Sequence, residues 1–261
     1  MDAGSRYSLM DDYSITQPAI FLERRARALG LSLKDFQVPP IHVICLNLEG
    51  QPLIAALDAR PVKGLPTHYI GRLKEIPVGV TPMKGFGSPY FAVLVEQLIA
   101  CGAQIILFSG AMGAFQPALQ IGDFVVPTSA LIGEGTSPYY STGHGSPQPH
   151  PEIVTALDAA CGTVQVTPHH GVIWSTDAVY REMRSQVESL QQQGVLGVDM
   201  ETSALFTLAR HHRIQAGCIH RVSDSLATLQ WHPHFDSPEY LDASREVAPR
   251  ILLECVQRLS G

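Results

Sequence analysis

The sequence predicts an α/β fold built on a twisted, largely parallel sheet. Three observations carry this. From Ile41 onward, short apolar runs alternate with runs of helical spacing, the pattern of parallel strands joined by crossover helices. At 261 residues, 45% hydrophobic and 16% charged, the chain supports a large core and is neither a disordered nor a coiled-coil sequence. An apolar strand pattern also stands on both sides of the long segment "GEGTSPYYSTGHGSPQPHP" with no shift in composition. One domain over residues 41–261 is therefore expected.

The elements follow in order. Residues 1–16 are polar and expected to be mobile, and "PAIFLERRARALGL" then has helical spacing with a stop at Gly30. Residues 1–40 thus form an N-terminal helical appendage. Next come "IHVICLN" as strand, "QPLIAALDA" as helix, "EIPVGVT" as strand, "SPYFAVLVEQLIACG" as helix and "AQIILFSG" as strand. The last of these empties into a glycine-bearing turn at Gly110–Ala114, and "GDFVVPTSALI" is a further strand. After the long segment, "PEIVTALDAAC" reads as helix, "HHGVIWS" as strand, "YREMRSQVESLQQQG" as helix and "VLGVDM" as strand. "ETSALFTLARHH" is then a helix and "QAGCIHRVS" a strand, before one last helix from about Glu239 to Leu259.

Composition narrows the function. A net charge of −6 with scattered Lys and Arg gives no basic stripe for nucleic acid. The five cysteines are well separated, form no C-x-x-C pair and read as reduced, buried thiols. The start "MDAGSRYSLMDDYS" is acidic where a signal peptide is basic, and no apolar run has bilayer length. A cytoplasmic protein acting on a small molecule is expected, without nucleic-acid or membrane partners. The histidines match no recognised ligand spacing, so no metal is expected.

Ligands of parallel sheets collect at the carboxyl ends of strands. Three such ends are informative: Gly110–Ala114, Met200-Glu201 and Ser223-Asp224. Glu201 opens a helix, so either it or Asp199 could simply cap free backbone N–H groups, and Asp224 could be a turn residue. The functional alternative needs both carboxylates in one pocket, where two environments let one stay ionised and the other act as an acid. "GFGSP", with Gly87, is a glycine turn before a helix and a weak anion-cradle match.

The stretch "EQLIACGAQIILFSGAMGAFQPALQIGDFVVPTSALIGEGTSPYY" resembles the nucleoside phosphorylase and nucleosidase superfamily, of the purine nucleoside phosphorylase and uridine phosphorylase type. "WSTDAVYRE" and "GVDMETSALFTLA" resemble its base-pocket and ribose segments, and "HRVSDS" its purine-specific acid motif. The resemblance runs from Ile41 to Asp224. It implies a three-layer α/β/α arrangement with a central mixed sheet, assembly as a dimer, trimer or hexamer, and cleavage of a nucleoside N-glycosidic bond. No cofactor is implied, only inorganic phosphate as co-substrate. Carried over by motif, Glu201 would hold the ribose hydroxyls, Met200 would pack on the sugar, and Val179 and Tyr180 would line the base. Asp224, with Ser223 beside it, would protonate a departing purine, a role that burial in an apolar pocket would serve. "EGTSPYY" leans instead towards the pyrimidine branch. The acid speaks to the chemistry and the loop only to ancestry, so purines are favoured, in a salvage role.

The departures concern phosphate. Where family phosphorylases carry an arginine on the strand and a Ser or Thr in the turn, this chain has Phe108 and Ala111, which with Gly110 would line the substrate site. The family's G-D-P-x-R turn is absent from "ICLNLEGQP". Lys63, Lys84 and Gly87 are the candidates for residual anion binding. Three readings follow: phosphorolysis, hydrolysis with Glu49 as tentative base, or nucleoside binding without catalysis.

Overall fold

The computed structural model describes residues 14–140 and 145–260. Most of the stretch expected to be mobile, and residues 141–144 of the long Gly/Ser/Pro segment, lie outside these.

The sheet grows from the most apolar runs. Every residue of β1 (Ile41–Cys45) is buried, as expected for a strand covered on both faces. It pairs in parallel with β4 (Ile76–Pro82) on one side and β5 (Ile105–Ala114) on the other. β5 pairs in parallel with β9 (Gln215–Ser225), and β6 (Phe124–Gly133), β7 (His169–Thr176) and β8 (Gly197–Asp199) form a second parallel set. Antiparallel pairings of β9 with β6 and of β5 with β8 join the two sets. Strands β5, β9, β6, β7 and β8 therefore close on themselves. The sheet is mixed, and the ring of strands sets the carboxyl-terminal halves of β5 and β9 side by side, with the short, antiparallel β8 against β5.

Helices cover both faces. α3 (Ser88–Ala100) and α6 (Thr202–His212) enclose one cluster with Phe91, Leu98, Phe108 and Phe206. α2 (Asn47–Ala56), α4 (Pro151–Thr163) and α8 (Ala248–Leu259) enclose another with Val43, Leu107, Ile219 and Leu252. α5 (Arg184–Gln192) covers a smaller patch around Trp174 and Val198. The segment expected as an appendage is packed down: α1 (Pro18–Ala28) buries Leu22 and Ala26, and Phe36 and Val38 follow them into the α3 cluster.

Three elements depart from the sequence reading. The Gly110–Ala114 segment is no turn; β5 continues through it, paired with β9 and β8. Its small residues suit a strand pressed between two neighbours, because a side chain on Gly197 would collide with the Gly113 carbonyl. Residues 60–73 hold an unforeseen hairpin, β2 (Arg60–Val62) and β3 (Leu65–Leu73), at the sheet edge. Its prolines and its few, scattered buried positions dilute the apolar signal, which edge strands do not need. The final helix is broken into α7 (Pro238–Asp242), a π-turn over Ala243–Val247, and α8. Pro249 at the start of α8 has no N–H to give the preceding turn, which widens instead.

Candidate active site

A cavity of about 570 Å³ opens at the carboxyl ends of β5, β8 and β9. Its wall takes Ala111, Met112 and Gly113 from β5, Met200 and Glu201 from the β8–α6 junction, Ser223 and Asp224 from β9, and Val179, Tyr180 and Glu182 from the segment after β7. Leu46, Phe86, Val198, Asp199, Leu226, Trp231, Phe235 and Tyr240 complete it. Residues up to 194 positions apart in the chain, Leu46 and Tyr240, thus meet in one hollow.

Asp199 does the capping that the sequence left open between two carboxylates. Its Oδ2 accepts the Glu201 N–H at 3.1 Å, the Thr202 N–H at 2.8 Å and the Thr202 hydroxyl at 2.6 Å, and its Oδ1 accepts the Ser175 hydroxyl at 2.5 Å. The first free N–H groups of α6 are satisfied there. Glu201 is thereby released to face the cavity. Its Oε1 accepts the Gly87 N–H at 2.6 Å. Gly87 sits at φ 94°, a backbone region that favours glycine, which aims its N–H at the carboxylate rather than at an external anion. Burial, and then the nearby Asp199 charge, raise the pKa of Glu201 above the usual carboxylate range, with the Gly87 N–H opposing them.

A β-bulge places the second carboxylate. The β5–β9 register pairs Met112 with Val222 but Gly113 with Asp224, so Ser223 is the extra residue. Bulges re-aim side chains beside functional sites, and this one lets both Ser223 and Asp224 reach the cavity wall. Asp224 Oδ1 accepts the Ser223 hydroxyl at 2.6 Å, and Oδ2 accepts the Trp231 indole N–H at 2.8 Å. Gly113 makes room, since a Cβ there would lie 2.9 Å from Asp224 Oδ2. Trp231 is held across the cavity rim by β10 (His232–Pro233), which pairs with Ser225 and Asp224.

Glu201, Asp224, Met200, Ser223, Val179, Tyr180 and Ala111 all line the cavity. Phe108 and Gly110 do not. The Phe108 ring packs against Phe91 at 4.7 Å and His220 at 5.6 Å between centroids, and a Cβ on Gly110 would run into the same two rings, Phe108 and His220. Lys63 and Lys84 are exposed and off the cavity wall: Lys63 lies on the β2–β3 turn and Lys84 beside a separate shallow recess with Asn47 and Tyr69. Gly87 serves Glu201. No Lys, Arg or His stands among the described residues of the cavity wall. The "EGTSPYY" segment is structural: the Glu134 carboxylate accepts the Thr136 and Ser137 N–H groups at 2.6 and 3.0 Å and the Ser203 hydroxyl at 2.9 Å.

Two features escaped the sequence reading. Glu182 lines the cavity beside Asp224, and its only hint was its place as the last residue of the base-pocket segment. Arg221 is fully buried, pairs with Glu49 and donates to the Ser109 and Ser244 hydroxyls at 2.7 and 3.1 Å. Glu49 is thus sealed against α2's neighbours and off the cavity wall, which removes it as the water-activating base. Burial still pushes its carboxyl to about 7, against the Arg221 charge.

The phosphorylase superfamily model matches residues 52–257. The chain is 31% identical over 199 residues to the uridine phosphorylase of Thermococcus kodakarensis, covering 71% of each protein. It is 34% identical over 178 residues to the guanosine phosphorylase of Halorubrum lacusprofundi, covering 67% of this chain and 74% of that one. With the Escherichia coli uridine phosphorylase, identity is 27% over 250 residues, 88% of this chain and 96% of the relative. The crystal structure of uridine phosphorylase from Vibrio fischeri has the same fold, with a TM-score of 0.74 and 24% identity over 85% of this chain and 94% of that one. With the family's segments in order and its relatives named as nucleoside phosphorylases, this chain belongs to the phosphorylase superfamily.

Proposed function

We propose that the protein cleaves the N-glycosidic bond of a purine nucleoside and passes the ribosyl group to phosphate. One observation carries this reading: Glu201 and Asp224, 23 positions apart in the chain, line the same cavity with Met200 and Tyr180 between the elements that hold them. Glycosidic cleavage passes through a sugar cation. Glu201, fixed by Gly87, takes the ribose hydroxyls. The cation forming beside it offsets the burial and the Asp199 charge that favour its neutral form, so that negative charge meets the cation as it develops. The acidic end of the cavity around Asp224 supplies hydrogen bonding and a proton to the departing base, which suits a purine ring nitrogen. Met200 packs on the sugar, and Val179 and Tyr180 flank the base. The pyrimidine cue loses weight because its Glu134 and Ser137 are spent on backbone and on α6.

A second reading, transfer to water, is favoured by the lack of any basic side chain on the described cavity wall. A guanidinium fork is the usual grip on phosphate, and Leu46 and Ala111 cannot replace it. The protein incubated with inosine, adenosine and uridine, with and without phosphate, separates the readings by release of free base. Phosphate-dependent release from purines supports phosphorolysis, and release indifferent to phosphate supports hydrolysis. Asp224→Asn, which takes the charge from the acidic end of the cavity, should lose at least about tenfold in purine cleavage. Full activity in that variant, or release from uridine alone, refutes the purine reading.

Residues 18–260 act as one domain in this reading, in the cytoplasm, and as a homo-oligomer. Exposed Phe86, Tyr90 and Val93 support the last point by offering an apolar face along α3. Light scattering that returns the monomer mass of 28.4 kDa refutes it.

A further inference from the structure

We propose that Glu182 carries the proton delivered to the departing base, while Asp224 serves as its fixed, ionised neighbour. The inference deepens the glycosidic-cleavage reading and rests on it. Asp224 is poorly placed to donate, because both its oxygens already accept hydrogen bonds, from the Ser223 hydroxyl and the Trp231 indole. Both oxygens are thus turned to protein donors and not to a ligand. Glu182 is the opposite case. Its carboxyl lines the same cavity, and no hydrogen bond to it is found among the described residues.

The two groups are in electrostatic contact. Burial first, and then the charge on Asp224, push the Glu182 carboxyl to about 7. A proton is therefore held on Glu182 near neutral pH, where an acid catalyst is most effective. The other ionisable groups facing the cavity are Tyr180 beside it, Asp199 and Glu201 at the β8–α6 junction, and Tyr240 from α7. None is a cation that would draw the proton off. In the step itself the C–N bond breaks and its electron pair moves onto the base. The Glu182 O–H proton goes to a base nitrogen, leaving a carboxylate. The ribosyl cation is captured by an oxygen of a phosphate anion, or by water that gives up one proton to solvent. The new Glu182 carboxylate then faces Asp224, and like-charge repulsion favours its return to the acid from solvent.

The test compares wild type, Glu182→Gln and Glu182→Asp on inosine and on 4-nitrophenyl riboside, whose phenolate leaves without protonation, across pH 5 to 9. Folding of each variant is checked by thermal melting. Wild-type kcat/KM on inosine should fall as pH rises through about 7. Glu182→Gln should lose about 100-fold or more on inosine, less than about a tenth of that loss on the nitrophenyl riboside, and the alkaline limb altogether. Glu182→Asp should regain part of the inosine activity and restore the limb. An unchanged profile in Glu182→Gln, or equal losses on both substrates, overturns the inference while the cleavage reading stands. A wild type that releases base from no nucleoside overturns both.

Discussion

Replacing Asp199 by Ala tests the division of labour on which the site depends. The substitution removes four hydrogen bonds, from the Glu201 and Thr202 N–H groups and from the Thr202 and Ser175 hydroxyls. Loss of a helix N-cap costs about 0.5–2 kcal/mol. The Ser175 hydroxyl is fully buried and loses its acceptor, at about 1–3 kcal/mol. The Thr202 hydroxyl costs less, because it keeps His220 Nε2 at 2.7 Å. Relief of the charge repulsion on Glu201 offsets part of this. The expected loss is about 3 kcal/mol, a fall of roughly 6–12 °C in Tm for a domain of this size. Urea denaturation of Asp199→Ala beside Glu201→Gln gives the measurement. Glu201→Gln keeps an acceptor for Gly87 and should lose under about 1 kcal/mol while losing most nucleoside cleavage. A loss below about 1 kcal/mol for Asp199→Ala, or a larger one for Glu201→Gln, would show that Glu201 is the cap and refute its assignment to the ribose.

Gly113→Ala should cut purine cleavage by tenfold or more with a modest fall in stability. Its Cβ would sit 2.9 Å from both Asp224 Oδ2 and Leu226 Cδ1, so the carboxylate and Trp231 must move. Trp231 fluorescence and kcat read the change, and wild-type values for both would contradict the packing described. His68→Gln should flatten the acid side of the stability curve. Burial, and next the Arg25 charge, hold His68 at about 4, against about 6.5 unfolded. Between those values the unfolded chain binds a proton that the folded one refuses. His68 therefore contributes stability above pH 6.5 that is lost as pH falls towards 4, up to about 3 kcal/mol. Urea midpoints at pH 7 and pH 4.5 should differ less in the variant than in wild type; equal differences would refute the assignment.

The legible part of this molecule is what periodicity and local chemistry encode. Runs such as Val43–Cys45 and Ile105–Phe108 are apolar without interruption because helices cover both their faces, and they marked the sheet correctly. Glu201 and Asp224 were legible as strand-end carboxylates. What stayed hidden depends on registers and distances that no window of sequence contains. The apparent glycine turn at Gly110–Ala114 is strand because β8 and β9 flank it closely; small residues serve a tight turn and a tight strand equally well. Phe108 looked like a site residue because it stands where family phosphorylases carry an arginine, yet it packs against His220 and Phe91, from β9 and α3. Asp199 and Glu201, two residues apart, were equivalent candidates for capping. Only the geometry of α6 separates them: the residue that takes the Thr202 N–H and hydroxyl has no free oxygen for a sugar, and the other, freed from the helix, turns its carboxylate to Gly87 and the cavity. The assignment proposed for Glu201 is thus a consequence of what Asp199 does, and exchanging the two would undo both the helix end and the carboxylate turned to the cavity.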